Sequence, residues 1–346
     1  MIMSYSSQFP TISFSRLALF DRSPYLYYKK YILGEVIEDD TTTLDIGSAV
    51  DCLITEPDEF HNRFAVATVP VPTAMMGDYV KSLYKNYKHL LESTPLSEEV
   101  CYVGAEATAY AETGFKISFD KVKERFLAEG LAYFKFLDAS EGKLTISFEN
   151  FTIAQTAANV LKSNRFTAKY LSETLEGNKQ RFYQVDSTFT YDNINYRVKL
   201  DAIVVDHDNK TIQPLDIKTT SDSPYGFTKS MWKYRYDLQA VIYSHYISTE
   251  FIQVNNLQGY TILPFKFIVI NVKYPNNPLI WKFSETDFMA AKLGKAAGYS
   301  VKSMWEIMDD LDWHISNDLW DYTREVYENE GELTTNMYDK AKTPEE

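Results

Sequence analysis

Residues 196–220, YRVKLDAIVVDHDNKTIQPLDIKTT, carry four ionisable side chains at spacings that suit chemistry on a phosphodiester: Lys199, Asp201, Asp216 and Lys218. Two runs of alternating or apolar residues flank a polar turn at 207–210, the pattern of a β-hairpin. A two-residue turn at Asp208-Asn209 would set Asp201 opposite Asp216 and Lys199 opposite Lys218, all on one face. Facing residues in such a pair have Cβ atoms roughly 4.5–5.5 Å apart, so the two carboxylates repel unless a cation sits between them. Oxygen-only ligands suit Mg²⁺, or Mn²⁺, and a lysine beside the ion can orient or deprotonate a water for attack on phosphorus. On spacing alone the other reading is a solvated hairpin with two Asp and two Lys as surface charges.

These residues resemble the PD-(D/E)xK nuclease signature, an Asp ending one strand and Asp-x-Lys on the next, here Asp201 and Asp216-Ile217-Lys218. Gln239 and Tyr243 in YDLQAVIYSHY are similar to the QxxxY helix that follows the core of RecB-type and RecE-type exonucleases. The segment 43–67, TLDIGSAVDCLITEPDEFHNRFAVA, resembles the RecE-type helix that carries a metal-site His or Glu, with Asp51 at that position. Residues 13–34 are similar to the N-terminal helical segment of RecB-like nucleases, with Ser23 where a Cys is common. The likeness spans about 13–67 and 180–248, in the family's order.

The resemblance implies an α/β fold, a restriction-endonuclease-like core with a mixed central sheet flanked by helices and added helical regions. It also implies Mg²⁺-dependent degradation of linear double-stranded DNA from its ends, in viral recombination or DNA processing. Asp201 and Asp216 would then hold the metal, with the Ile217 carbonyl and Asp51 as further ligands, and Lys218 would position the water. Gln239 and Tyr243, four apart and on one helix face, would bond phosphate or brace the hairpin. Lys229, Lys233 and Arg235 precede them and would contact the DNA backbone, Arg235 falling on nearly the Gln239 face at 100° per residue. Implied partners are DNA, a single-strand annealing protein and further copies of the chain. An endonuclease or a RecB-type subunit of a repair complex stays open, as does a non-catalytic DNA-binding protein on a nuclease fold.

Those residues need elements to hold them. Ser13 or Ser15 can cap a short helix that breaks at Ser23-Pro24 before a tyrosine-rich second helix. Helices are expected over 72–93, 97–112 and 119–129, and two more over 149–175. The first of these puts Lys81, Lys85 and Lys88 on one face. A strand over 179–191 feeds the hairpin, with Gln184 near a position where the resembled family often has Glu. One helix is expected over 227–248, a buried strand over 259–272, and helices over 284–330 anchored by Trp305, Trp313 and Trp320. This describes one nuclease domain over 1–346, with a helical insertion at 70–150, the core sheet and QxxxY helix at 180–275, and a polar tail at 334–346.

Composition sets outer bounds. At 346 residues and 45% hydrophobic the chain can bury a large core. Cys52 and Cys101 are the two cysteines, too few for a disulfide framework or for a four-cysteine iron-sulfur cluster. The net charge of −13 disfavours a passive, charge-driven DNA coat, yet an enzyme needs only a locally basic track. No apolar run approaches the roughly 18 residues of a membrane span, so a soluble, cytoplasmic protein without membrane contact is expected.

Overall fold

The computed structural model describes residues 11–35, 41–72 and 74–333. The expected polar tail at 334–346 lies outside the described residues. Ser13 caps the helix Phe14–Arg22 by accepting the Arg16 N–H, and Ser23 caps Pro24–Tyr27 by accepting that of Leu26. Both act as the sequence suggests, because a serine oxygen satisfies an amide that the first helical turn leaves open.

Eight strands occur among the described residues: β1 (Phe64–Ala67), β2 (Leu144–Ser147), β3 (Lys179–Tyr191), β4 (Ile194–Asp206), β5 (Thr211–Thr220), β6 (Thr261–Ile262), β7 (Lys266–Asn271) and β8 (Leu279–Lys282). The chain divides into two compact units, Asp45–Thr156, and Met1–Leu44 with Ala157–Glu346. In Asp45–Thr156 the helices Ala74–Ser93, Glu98–Thr113 and Leu131–Ala139 enclose a core of Tyr79, Val80, Leu83, Ala105, Phe126 and Phe134. β1 and β2 pair in parallel there, a four-residue ladder too short to leave a periodic trace in the sequence. Lys88 pairs with Asp138 and Glu141, while Lys81 and Lys85 are exposed.

The second unit is built on a mixed sheet of order β3-β4-β5-β7-β8, with β6 beside the start of β5. β3, β4 and β5 form an antiparallel meander, and β7 returns parallel to β5. A parallel return needs a crossover, supplied by the helices Phe227–Lys233 and Tyr236–Tyr246. The apolar stretch expected as one strand over 259–272 is two, since Leu263-Pro264-Phe265 separates β6 from β7. Pro264 has no N–H for a ladder and so breaks the run. Leu17, Leu200, Leu238, Phe267, Ile307 and Leu311 belong to the core that joins this sheet to the helices Phe14–Arg22, Tyr236–Tyr246 and Met304–Asn317. Trp320 closes it, stacked on Tyr27 and Tyr28.

The meander is interrupted where the two acidic residues lie. β4 pairs with β5 from Ala202↔Leu215 to Asp206↔Thr211, the register expected from the hairpin, around a four-residue turn at 207–210 in place of the expected two-residue turn. Asp206 holds that turn by accepting the Asn209 backbone and side-chain N–H. Past Leu215 the ladder ends, and β5 continues against β7 as far as Thr220↔Asn271. Lys199 therefore does not face Lys218; it is exposed and opposite Asp186 of β3. The place beside β4 is taken by Ile12, whose N–H and C=O bond Asn195 and Arg197. On β4 the core-facing residues are Ile194, Tyr196, Val198 and Leu200, then Ile203 and Val205, so the alternation slips by one at Asp201-Ala202. Opposite the slip, Gln184 of β3 has φ 46°, a left-handed conformation that L-residues seldom hold without support from their surroundings.

Candidate active site

Asp201 explains the interruption. Its Oδ2 accepts the Ile217 N–H at 2.7 Å, so a side-chain carboxylate occupies the place of a ladder carbonyl. That bond pins the start of Asp-x-Lys to β4 after the backbone pairing has ended. Asp216, 2% exposed, accepts Gln239 Nε2–H on Oδ1 at 2.5 Å and faces Lys218 Nζ across 2.7 Å on Oδ2. The helix Tyr236–Tyr246 thus clamps the first residue of the motif, and the ion pair fixes the third.

Lys218 is held on its other side by aromatic rings. Its Nζ lies 4.3 Å from the Tyr236 ring centroid and 6.0 Å from that of Phe14, positions in which a ring quadrupole favours a cation. Burial works against the ammonium, but Asp216, Tyr236 and Asp201 outweigh it and raise the Lys218 pKa above its ordinary value. The group is therefore a fixed positive charge at neutral pH. Tyr243 is buried one turn beyond Gln239, edge-on to Phe14. Burial, with Asp216 adding to it, pushes its phenol well up against an opposing Lys199 backbone N–H. Tyr243 stays neutral and keeps its proton as a donor.

Phe14 and Tyr236 line the candidate site beside Lys218, and motif reasoning passes over both. Tyr236 lies three residues before Gln239 and so on the same helix face, a signal present in the sequence. Phe14 has no such signal, because contacts distant in sequence, the Ile12 bridge to β4, the Leu17 core packing and the Asp21–Arg235 pair, bring the N-terminal helix to this place.

The basic residues ahead of Gln239 part company. A single helix over 227–248 is not what forms: Phe227–Lys233 ends at Tyr234, and Arg235 turns left-handed (φ 55°) before Tyr236–Tyr246 begins. The 100° spacing that put Arg235 on the Gln239 face therefore does not apply. Arg235 is 7% exposed and bonded to Asp21, to both oxygens of Asp237 at 3.0 Å and to the Lys302 carbonyl at 2.7 Å. These partners use its guanidinium as an internal brace and leave none of it facing a phosphate. Lys229 and Lys233 are exposed. Asp51 lies half-buried on the helix Thr41–Thr55, within the unit Asp45–Thr156.

The donor set fits a hard cation in part. Among the described residues Asp216 Oδ2 meets no hydrogen-bond donor of good geometry, only the Lys218 ammonium. A carboxylate so placed suits a divalent ion, but no group of three or more His, Cys, Asp or Glu side chains gathers as a cradle among the described residues. Two carboxylates leave the other positions to water, main-chain oxygen and substrate phosphate, the usual arrangement for Mg²⁺ at phosphoryl sites.

The family model described as a PDDEXK-like domain of unknown function (DUF3799) matches residues 13–326. The chain belongs to this PDDEXK-like family. The match bears out the PD-(D/E)xK resemblance, and the mixed sheet flanked by helices agrees with a PDDEXK-like nuclease fold. PDDEXK nucleases generally use divalent metals. The comparison with curated proteins finds no match. Among solved structures, a protein from Eubacterium rectale described as a candidate exonuclease is similar at 13% identity, covering 94% of this chain and 90% of that one with a TM-score of 0.43. Protein VC1899 from Vibrio cholerae is similar at 12% identity over 82% of this chain and 57% of that one, with a TM-score of 0.17. No helix among the described residues of this PDDEXK-like chain is long and apolar enough to cross a membrane.

Proposed function

We propose that this PDDEXK-like domain is a divalent-metal-dependent exodeoxyribonuclease that hydrolyses double-stranded DNA from its ends. The observation that carries the reading is the Asp216–Lys218 ion pair, locked by Gln239 and an aromatic wall where β5 leaves β4. Burying a carboxylate and an ammonium is costly, and apolar residues of similar volume would often serve stability better. A protein that only bound DNA would have no use for the arrangement.

Asp201 and Asp216, with the Ile217 main-chain carbonyl, are the residues to hold Mg²⁺ or Mn²⁺. A bound divalent ion supplies Lewis-acid polarisation of the phosphoryl oxygen and a more acidic water. The chain's own groups do the rest. Gln239 fixes the rotation of the Asp216 carboxylate. The Lys218 ammonium orients the attacking water and offsets charge that builds on phosphorus, without itself taking the proton. Lys229 and Lys233, exposed ahead of the clamp helix, contact backbone phosphates and so carry no base information. Resection of this kind leaves single strands, the substrate of an annealing protein.

The test is a time course on matched linear and covalently closed plasmid with Mg²⁺. Linear DNA is expected to disappear without discrete fragments, with a rate that falls steeply as salt rises. Rapid cutting of the closed circle overturns end-dependence and selects an endonuclease.

A further inference from the structure

Between the two crossover helices the chain presents a tyrosine that the metal site does not use. Tyr234 is 42% exposed and belongs to no core cluster. Its ring centroid lies 5.7 Å from that of Tyr236, the ring on which Lys218 Nζ rests at 4.3 Å. Lys233 Nζ, itself exposed, lies 5.1 Å from the centroid of the Tyr234 ring. A series of contacts therefore leads away from the ion pair: ammonium, half-buried ring, exposed ring, exposed ammonium.

The backbone that sets this series is held at a cost. Arg235 is left-handed, a conformation disfavoured for a residue with a Cβ, and the Asp21, Asp237 and Lys302 contacts impose it. An unbroken helix would not end at residue 234, and the Tyr234 ring would not be displayed beside Tyr236. Strain of this kind, supported by a buried triple anchor and displaying an exposed aromatic one ring away from Lys218, points to use of that aromatic.

We propose that Tyr234 is a stacking platform for the unpaired base of a DNA strand end, with Lys233 on the adjoining phosphate, so that the end nucleotide is held beside Lys218. Every base has a π-face, so the contact is sequence-tolerant, and an exposed ring beside a mobile ammonium is how single strands are commonly gripped. Inside a duplex both faces of a base are covered by its neighbours, so the ring can take only a nucleotide at an end or in a single strand. The proposal takes its ligand from the nuclease reading but its geometry from the ring series alone.

The test uses single-stranded oligodeoxynucleotides with 2-aminopurine at one or the other terminal nucleotide, titrated with the full chain in EDTA so that no hydrolysis occurs. Wild type is expected to quench the probe at one of the two ends. Tyr234→Trp keeps the quenching, whereas Tyr234→Ala loses it and binds roughly five- to a hundred-fold more weakly. Tyr322→Ala, which removes an exposed ring of the separate Tyr327 cluster, leaves both unchanged. With Mg²⁺ and linear duplex, Tyr234→Ala raises KM far more than it lowers kcat. Equal quenching and affinity in Tyr234→Ala and wild type overturn the stacking site even if DNA is hydrolysed. Tyr234-dependent quenching by a protein that hydrolyses no DNA with any divalent metal upholds the stacking site and removes the exonuclease reading.

Discussion

Lys218→Met is expected to lower the turnover of linear DNA by about 10²–10³-fold or more at saturating Mg²⁺, the usual cost of deleting one preorganised donor at a site of developing charge. The Lys218 ammonium is pinned by Asp216 at 2.7 Å and by the Tyr236 ring, so no neighbour can swing in to replace it. The same pairing alters what the companion variant should do. Asp216→Ala leaves a mostly buried ammonium without its partner, and breaking one half of a buried pair costs about 3–5 kcal/mol of stability. It is therefore expected to lose both activity and thermal stability, and a stable inactive Asp216→Ala is not the outcome the packing allows. The neutral double variant Asp216→Asn/Lys218→Met separates the two effects, recovering much of the melting temperature while remaining inactive. Turnover of Lys218→Met above a tenth of wild type would falsify the assigned role.

The pH dependence carries a sign. Because the folded-state pKa of Lys218 is raised, its stabilising charge is fully present below its ordinary unfolded value and is lost only as pH climbs through the higher folded one. Over pH 7–9 the pair should contribute a constant amount to stability. Any rise in rate over that window then reports a different group, and Lys218→Arg should leave the position of that limb where it was. A limb that moves with Lys218→Arg means that the lysine is losing its proton during turnover.

Much of this arrangement is legible in the sequence, for definite reasons. β3 spans the expected 179–191 because its alternation is long, and the β4–β5 register follows from the polar turn even though the turn is longer than expected. Gln239 reaches Asp216 because i, i+4 spacing puts the motif's amide on the helix face toward the sheet. What fails to show is whatever replaces a regular backbone contact. An Asp201 side chain standing in for a ladder carbonyl leaves no period, nor does Ile12 filling the place β5 leaves. The break at Tyr234-Arg235 is hidden for a related reason: neither residue is a helix breaker by propensity, and partners distant in sequence at Asp21 and Lys302 impose the conformation. β8 is four residues long and β6 two, too short for any pattern to register.

The loss of that brace gives the second large effect. Arg235→Ala is expected to destabilise the chain by about 3–5 kcal/mol, because Asp237 is fully buried and Asp21 largely so, and each loses its cation. In a chain of 346 residues that corresponds to a fall in melting temperature of roughly 4–7 °C. The backbone supplies a control with a predicted order. Glycine at 235 removes the same guanidinium contacts but accepts φ 55° without a Cβ penalty, so Arg235→Gly should be more stable than Arg235→Ala by about 1 kcal/mol. In an ordinary helix the order is the reverse, with alanine ahead of glycine by a similar margin. Thermal or urea unfolding of the two variants side by side therefore distinguishes a left-handed joint from a continuous helix. Alanine proving the more stable, or either variant staying within 1 kcal/mol of wild type, would remove the joint on which the placement of Tyr234 depends.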